Sequence, residues 1–355
     1  MLLFIKIDTR YPNFLYICAQ YCQNDYYLLT MQTLSQIQIL FQQYLVDHQF
    51  QNKPQELYDP VNYILSIGGK RLRPALLLLS YQLFDEDIDK ALPAAFAIEV
   101  FHNFTLLHDD IMDEAPLRRG KPTVHHKYDL NTGILSGDVM MIYAYDYLTK
   151  IQDSTKIPAI LSVFNQVAIE VCEGQQYDMN FESKNDVKIT EYLDMIRQKT
   201  AVLLAGGMKI GAILGNANEK QADQIYQFAE NIGIAFQLQD DILDTFGDPE
   251  KFGKKVGGDI AQNKKTFLLL KAFELADEDL RKELFRFIDM KEDRELEKID
   301  GVKGVYRLLN IKEIANKEKE KYQKKAFEYL HKLGVKSEKL KIIKKLAEEL
   351  LDREI

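Results

Sequence analysis

The chain has 355 residues and a formal net charge of −8, and 46% of its residues are hydrophobic while 28% are charged. This length and balance are typical of a soluble globular protein with a sizeable core, and the acidic charge argues against a nucleic-acid partner or an anionic membrane surface. The three cysteines, Cys18, Cys22 and Cys172, form no disulfide or metal-binding pattern. We therefore predict a cytoplasmic protein, and no run of about 18 apolar residues predicts a membrane span.

The first 30 residues show no regular helical spacing. They also lack the basic start, the long apolar stretch and the small-residue cleavage site of a secretory signal. A regular helical pattern begins at Met31. We predict that residues 1–30 are an extension outside the fold and that residues 31–355 form the working domain.

Downstream of this extension, apolar residues recur at helical spacing in one segment after another. The predicted helices cover residues 32–48, 57–67, 75–84, 90–113, 134–148, 157–176, 190–214, 220–246 and 265–275, with more to follow. No alternating segment or hairpin dipeptide predicts β-structure of useful length. The pattern predicts an all-α, single-domain bundle of roughly a dozen helices.

Two acidic stretches interrupt these apolar helices. Residues 109–113 and 240–244 both read Asp-Asp-apolar-apolar-Asp, with the first and last Asp one turn apart on one helix face. A single copy is most simply a solvated helix face. Two copies in apolar helices need cations to offset their burial and mutual repulsion. Carboxylate oxygens favour Mg²⁺, and a bound phosphate usually completes its coordination.

Basic residues cluster at helix ends beside both acidic stretches. The clusters are Lys70, Arg71 and Arg73; Arg118 and Arg119; Lys199 beside Thr200; and Lys254, Lys255 and Lys264. Each alone is most simply surface charge, but together they suit phosphate, which helix N-termini also favour. No nucleophile elbow, phosphate-binding P-loop or dinucleotide fingerprint is present. The chemistry that remains is departure of diphosphate from a hydrocarbon, with apolar walls keeping water from a carbocation.

In their order, these motifs resemble those of the trans-isoprenyl diphosphate synthases, the family of farnesyl and geranylgeranyl diphosphate synthases. The resembling stretches are residues 69–74, 109–113, 117–123, 199–200, 233–244 and 253–264. The resemblance implies an all-α isoprenoid synthase fold around a central apolar cavity, a homodimer and three Mg²⁺ ions. It also implies head-to-tail condensation of isopentenyl diphosphate with an allylic diphosphate, giving a short all-trans prenyl diphosphate.

The resemblance further implies a role for each site residue. Mg²⁺ would be held by Asp109, Asp110, Asp113, Asp240, Asp241 and Asp244. The allylic diphosphate would contact Arg118, Lys199 and Lys254, and isopentenyl diphosphate would lie against Lys70, Arg73, His102 and Arg119. Lys264 would be a further substrate ligand. Thr200 and Gln237 would flank the reacting carbons. A purely structural His102 stays open, and His108 has no assigned role.

The residues just before the first acidic stretch are expected to set product length. Helix geometry puts Thr105 about 40° and Phe101 about 80° from Asp109, with Phe104 about 140° away. The resemblance instead weights Phe104 and Thr105, a pair that resembles geranylgeranyl-type enzymes. We therefore keep all three as candidates and expect a product of fifteen to twenty carbons, with twenty favoured.

Two alternatives stay open. A class I terpene cyclase shares the fold and the first acidic motif, but it normally lacks the second motif and has no use for a pocket with Lys70 and Arg73. A non-catalytic subunit of a heteromeric prenyl synthase would be expected to have lost one acidic motif. Both motifs are intact here.

Overall fold

The structure is a computed structural model that describes residues 31–184, 186–248 and 256–351. The described chain is helical almost throughout, which confirms the predicted all-α bundle. The predicted extension, residues 1–30, and the predicted phosphate ligand Lys254 lie outside the described residues. Both therefore stay predictions.

Sixteen α-helices are assigned within these ranges. They are α1 (Leu34–Asp47), α2 (Gln55–Ser66), α3 (Leu72–Gln82), α4 (Leu92–Met112), α5 (Val124–Lys127), α6 (Leu130–Thr149), α7 (Ile157–Ser183), α8 (Ile189–Ile196), α9 (Val202–Leu214), α10 (Glu219–Phe246), α11 (Gly258–Ala261), α12 (Phe267–Leu275), α13 (Glu278–Ile288), α14 (Glu295–Leu308), α15 (Ile311–His331) and α16 (Ser337–Leu351). Short 3₁₀ turns cover Ile88–Ala91, Ser154–Lys156 and Glu292–Arg294, and a π-helical turn, Arg197–Ala201, joins α8 to α9.

The segment expected to be a plain loop after the first acidic stretch contains a small hairpin. Its strands are β1 (Leu117–Arg118) and β2 (Lys121–Pro122), and they pair antiparallel. Arg119 and Gly120 between them have φ angles of 53° and 74°, the positive values that a type I′ turn requires. Strands of two residues carry no alternation, so the sequence pattern did not predict them.

Helix α10 connects the two parts of the apolar core. Its N-terminus is closed by a capping box, in which the Asn218 side chain accepts from the Gln221 N–H and the Gln221 side chain accepts from the Asn218 N–H. Phe228, in its first half, packs in the apolar cluster that surrounds α4, whereas Leu238, near the second acidic stretch, packs in a separate cluster with α12 and α14. The first half of α10 thus packs in the same cluster as α4, which carries the first acidic stretch, and its second half carries the second acidic stretch.

One helical segment of the described chain, Ser154–Ser183, is long and apolar enough to span a membrane by length and composition alone. Only 28% of its most apolar window is buried. The sequence count of uninterrupted apolar residues missed this segment because polar residues are spaced along it.

Candidate active site

The first acidic stretch ends helix α4, and its second carboxylate anchors an arginine. Arg118 donates from Nε to both oxygens of Asp110, each at 2.8 Å, and its Nη2 lies 2.6 Å from Asp110 Oδ1. Burial raises the pKa of Asp110, and Arg118 offsets this only in part. Burial alone would lower the pKa of Arg118, but the hydrogen bonds and charge of Asp110 outweigh it and raise that pKa. The β1–β2 hairpin therefore places the protonated guanidinium of Arg118 against the first acidic stretch.

Lys199 lies between two carboxylates at the same place. Its Nζ is 3.4 Å from Asp109 Oδ1 and 2.6 Å from Asp178 Oδ2. Burial would lower the pKa of Lys199, but the charges of Asp109 and Asp178 outweigh burial and raise it. Lys199 is thus a protonated, partly buried ammonium. Sequence reasoning missed Asp178, which is a single acid on α7 without a repeated motif to mark it.

The π-helical turn that carries Lys199 and Thr200 depends on two glycines of neighbouring helices. A Cβ on Gly174 of α7 would lie 2.3 Å from the backbone N of Lys199, and a Cβ on Gly233 of α10 would lie 2.6 Å from Ala201 Cβ. Both helices can therefore approach this turn only because these positions lack a side chain. Lys199 and Thr200 are adjacent in sequence, and both line the same cavity. A π turn at a functional site is a recurring arrangement.

The second acidic stretch has the same internal division as the first. Asp241 is buried, accepts a hydrogen bond from the Tyr192 hydroxyl, and accepts another from Gln237 Nε2 at 3.4 Å. Burial raises the pKa of Asp241 to about 8. Asp110 and Asp241 are each 2% exposed and hydrogen-bonded to protein groups, so their direct role in metal binding stays a prediction. No sequence signal marked Tyr192.

The last carboxylate of the second stretch is held by the segment that follows the helix. Asp244 Oδ2 accepts the backbone N–H of Asp259 at 2.9 Å, and Lys264 Nζ lies 3.6 Å from Asp259 Oδ1. A Cβ on Gly258 would come 3.3 Å from Asp244 Oδ1. Asp259, which the sequence analysis did not place among the site residues, belongs to this group.

Lys264 and Asp178 lie within electrostatic range of Asp113 in the first acidic stretch and of Asp259 beside the second. Burial and the charge of Asp109 raise the pKa of Asp113, while Lys199 and Lys264 oppose the rise. Lys264 follows the second acidic stretch in the chain, yet it acts on the first. Asp178 in turn raises the pKa of both Asp113 and Asp259. These groups on the two sides therefore lie within interaction range across a shared space.

A cationic pocket adjoins the start of α3. Arg73 Nη1 lies 3.0 Å from His102 Nε2, and since the guanidinium donates, the imidazole nitrogen accepts. Burial and the nearby Arg73 charge lower the pKa of His102 well below its usual value, so this histidine is neutral. Arg119 donates to the carbonyl of Gly68 and presses against Gly69, whose φ is 131° and whose Cβ would lie 2.6 Å from Arg119 Nη1.

Arg71 corrects one expectation for this pocket. The sequence grouped it with Lys70 and Arg73 as a candidate phosphate contact. In the structure Arg71 is buried, pairs with Glu99 and donates to the carbonyl of Leu65. It joins α2 to α4, whereas Lys70 stays exposed. Sequence reasoning missed Glu99, which is the one acid in the apolar first half of α4.

A cavity of about 300 Å³ opens between α4, α7 and the π turn. Arg73, Asp109 and Lys199 line its polar end, and Phe104 and Leu203 belong to its apolar lining.

Of the three chain-length candidates, Phe104 and Thr105 line this cavity, whereas Phe101 is 1% exposed and packs behind Phe104 with ring centroids 5.5 Å apart. Helix angle alone favoured Phe101 over Phe104. The cavity instead reaches Phe104 because it extends sideways from α4 toward α7.

The donor set fits Mg²⁺ that arrives with a phosphate ligand. Within the described ranges, no three carboxylate, imidazole or thiolate groups are close enough to hold a metal ion by themselves. Asp109 Oδ1 is nevertheless buried and makes no hydrogen bond, although the Lys199 ammonium lies 3.4 Å from it. Mg²⁺ is commonly bound by one or two carboxylates, with waters and substrate phosphates supplying the other oxygens. Asp109 and Asp113, one turn apart on α4, suit that mode.

Comparisons with known proteins bear on this geometry. A model of the polyprenyl synthetase family matches residues 54–308. The chain is 43% identical over 240 residues to the short chain isoprenyl diphosphate synthase of Methanocaldococcus jannaschii, which covers 68% of this chain and 73% of the relative. It is 40% identical over 305 residues to the geranylgeranyl diphosphate synthase of Sulfolobus acidocaldarius, covering 84% of this chain and 91% of the relative.

Solved structures give the same result for the fold. A crystal structure of a geranylgeranyl pyrophosphate synthase has a TM-score of 0.87 and 45% identity, covering 91% of this chain and 99% of that chain. The geranylgeranyl pyrophosphate synthetase of Pyrococcus horikoshii has a TM-score of 0.82 and 34% identity, covering 90% of this chain and 98% of that one. The family resemblance drawn from the motifs is thereby confirmed.

Proposed function

We propose, since the chain belongs to the polyprenyl synthetase family, that it catalyses the magnesium-dependent head-to-tail condensation of isopentenyl diphosphate with an allylic diphosphate. The products are a short all-trans prenyl diphosphate and inorganic diphosphate. One observation carries the proposal: both acidic stretches and the cations Lys199 and Lys264 interact across one space beside an apolar cavity.

The two acidic stretches and the nearby cations would divide the binding of the allylic diphosphate. Asp109, Asp113 and Asp240 would hold Mg²⁺, with Asp244 in support. When bound, Mg²⁺ would supply neutralisation of the charge that develops on the leaving diphosphate. Arg118 and Lys199 face the same diphosphate, and both stay charged because nearby carboxylates raise their pKa values.

The cationic pocket beside α3 suits the second substrate. Lys70, Arg73 and Arg119 would bind the diphosphate of isopentenyl diphosphate, and the neutral His102 would orient Arg73 through their 3.0 Å contact. Because the imidazole carries no negative charge, its contact with Arg73 does not cancel the positive charge of the guanidinium. That charge can therefore attract phosphate.

The bond changes follow from these two binding positions. The allylic C–O bond breaks and leaves a carbocation, the isopentenyl double bond forms a new C–C bond with it, and the released diphosphate takes the proton that is lost. Thr200 Oγ1 and Gln237 Oε1, 3.5 Å apart, would flank the carbocation with their oxygen dipoles. Phe104 and Leu203 line the cavity and keep water away from it.

We propose a twenty-carbon product, with fifteen carbons as the next candidate. The aromatic ring of Phe104 and the smaller Thr105 line the cavity below Asp109. Two relatives with 40% and 43% identity are named geranylgeranyl synthases. Both observations support a pocket that admits a C20 chain.

Product chromatography tests the proposal. The purified chain is incubated with Mg²⁺, isopentenyl diphosphate and dimethylallyl, geranyl or farnesyl diphosphate in turn, and the dephosphorylated products are separated by chain length. We expect elongation to twenty carbons from each primer. Consumption of an allylic diphosphate without isopentenyl diphosphate would instead indicate a terpene cyclase. Diphosphate release that requires an added partner chain would indicate a non-catalytic subunit.

We also propose a homodimer that covers an apolar surface on α6 and α7. Leu135, Ile142 and Ile169 are 58%, 63% and 59% exposed on these helices, and Ser154–Ser183 is the segment that resembles a membrane span in composition. A second copy would remove these side chains from water, so the dimer would stay in the cytoplasm without a membrane. Light scattering tests the proposed homodimer, and we expect the mass of a dimer for the wild type. The double variant Ile142→Lys with Ile169→Lys should weaken the dimer. Leu296 is 72% exposed on α14, away from this surface, so the control Leu296→Lys should leave the dimer intact. Flotation of the wild type with lipid vesicles would contradict the proposal.

A further inference from the structure

His108, which directly precedes Asp109, is held between two helices. Its Nε2 lies 3.2 Å from the backbone carbonyl oxygen of Ile134 on α6. Since a carbonyl oxygen only accepts, the imidazole donates from Nε2. The ring also meets the Phe104 ring edge-on, with centroids 4.8 Å apart and planes at 67°. His108 therefore joins α6 to the aromatic residue that lines the cavity.

Gly137 of α6 provides the space for this imidazole. A Cβ at Gly137 would lie 2.2 Å from His108 Nε2 and 2.6 Å from its Cδ2, closer than real side chains come. Glycine in a helix interior weakens the helix. At position 137 this loss of helix stability is explained by the space that the His108 ring needs. One turn earlier, a Cβ at Gly133 would come closest to the flexible Cδ1 end of Ile111, at 3.1 Å, and would make ordinary van der Waals contact with His125 Cβ, at 3.6 Å.

Phe104 is supported from below as well as from the side. Its ring centroid lies 5.5 Å from that of Phe101, and Phe101 in turn packs on Phe164 of α7 at 5.1 Å. Phe104 is thus packed between a buried aromatic pair and His108. Both Phe104 and His108 line the cavity.

We propose that His108 is a positioning residue that fixes Phe104 as the closed end of the cavity, and that Gly137 sets how far His108 reaches into it. Product length is then governed from α6 as well as from α4. The inference rests on the proposed function, because it concerns the chain length of a prenyl diphosphate product. It adds two residues that the motifs did not assign, one on each helix.

Product distributions of three single variants test the inference. His108→Ala removes the lateral support of Phe104, so the ratio of longer to wild-type-length product should rise about tenfold, which corresponds to about 1.4 kcal/mol. Gly137→Ala forces the imidazole toward the cavity and should shift products to shorter chains. Gly133→Ala is the matched control, with the same change on the same helix, and should leave the distribution unchanged. Melting temperatures of all three report whether each variant folds.

A double variant separates positioning from general damage. In His108→Ala with Gly137→Ala, the clash is gone because the ring is gone, so the products should match those of His108→Ala rather than those of Gly137→Ala. This comparison also stands if Gly137→Ala alone does not fold. A wild-type product distribution in both His108→Ala and the double variant would overturn the inference while leaving the proposed function intact. Failure of the wild type to form any prenyl diphosphate would overturn the proposed function instead.

Discussion

Arg118 donates from Nε to both carboxylate oxygens of Asp110, so that a buried acid of the first motif holds a cation rather than facing the cavity. The corresponding acid of the second motif, Asp241, is held by Tyr192 and Gln237. In both motifs the second carboxylate is therefore buried and hydrogen-bonded to protein groups.

The Arg118–Asp110 pair should behave as one unit in catalysis. Arg118→Lys removes the hydrogen bonds to both Asp110 oxygens, and Asp110→Asn removes the negative charge that holds Arg118. Each variant should lower kcat/KM for the allylic substrate by about tenfold to a hundredfold, a loss of transition-state stabilisation of about 1.4–2.7 kcal/mol. The double variant should be no worse than the poorer single variant. Arg286→Lys is the control: this exposed arginine pairs with Glu283 and lies over the Phe287 ring on α13, so the variant should keep the wild-type kcat/KM. Additive losses in the double variant would show that the two residues act separately.

The raised pKa of Asp241 predicts a pH dependence of stability in the metal-free protein. Its folded pKa, about 8, lies above the ordinary value of 3.8, so between these values the folded state binds more protons than the unfolded state. Stability should fall as the pH rises through this window, by at most about 1.4 kcal/mol per pH unit from this group.

Urea unfolding in a chelator, from about pH 5 to about pH 9, measures the effect. Asp241→Asn, which stays neutral, should flatten the curve and be more stable than the wild type at the alkaline end. Asp146→Asn, on the exposed surface of α6, should keep the wild-type slope. An unchanged slope in Asp241→Asn would contradict the assignment.

Gly174 is predicted to be essential for the π turn. Gly174→Ala places a Cβ 2.3 Å from the Lys199 backbone N, so α7 or the turn must move, at a cost of about 1–3 kcal/mol. Lys199 should shift with it, and kcat should fall. Gly304→Ala is the matched control because no atom lies within 4 Å of its Cβ, and it should stabilise α14 by about 0.4–1 kcal/mol. Equal melting temperatures for the two variants would refute the prediction.

Metal binding should require a phosphate ligand. Because no three ligand side chains are preassembled among the described residues, Mg²⁺ alone should change the melting temperature little. Mg²⁺ with inorganic diphosphate at about 100 times its Kd should stabilise the fold by about 2.7 kcal/mol. Removing the metal with a chelator should abolish both this shift and the activity. Asp113→Asn with Asp244→Asn should abolish the shift without preventing folding, and an equal shift with Mg²⁺ alone would contradict the prediction.

Phe104→Ala should lengthen the product, because Phe104 lines the cavity whereas Phe101 lies behind it. Phe101→Ala should act more weakly on length, yet cost about 3–5 kcal/mol of stability as a fully buried aromatic residue. Chromatography of products and thermal unfolding measure the two effects. Phe285→Ala, on the exposed face of α13, should change neither. Unchanged product lengths in both Phe104→Ala and Phe101→Ala would show that neither aromatic ring limits the length of the product.

Several functional contacts could not be predicted from the sequence. Asp178 meets Lys199, and Tyr192 meets Asp241, across 21 and 49 positions of the chain. Neither Asp178 nor Tyr192 lies in a repeated motif, so nothing local marks it. Arg71 shows the opposite case: its neighbours suggested a phosphate contact, but an αL backbone with φ of 49° and the buried Glu99 turn it inward.

The sequence by itself determined the helices and the two acidic stretches, because helical periodicity and motif spacing are local properties of the chain. Asp109 and Asp113 lie one turn apart on α4 whatever packs against them. Only the tertiary structure decided which carboxylates are buried, how the π turn presents Lys199, and that Phe104 rather than Phe101 lines the cavity. These depend on how closely distant helices approach, and that distance is set by single residues such as Gly174 and Gly137 that meet their partners only in the folded state.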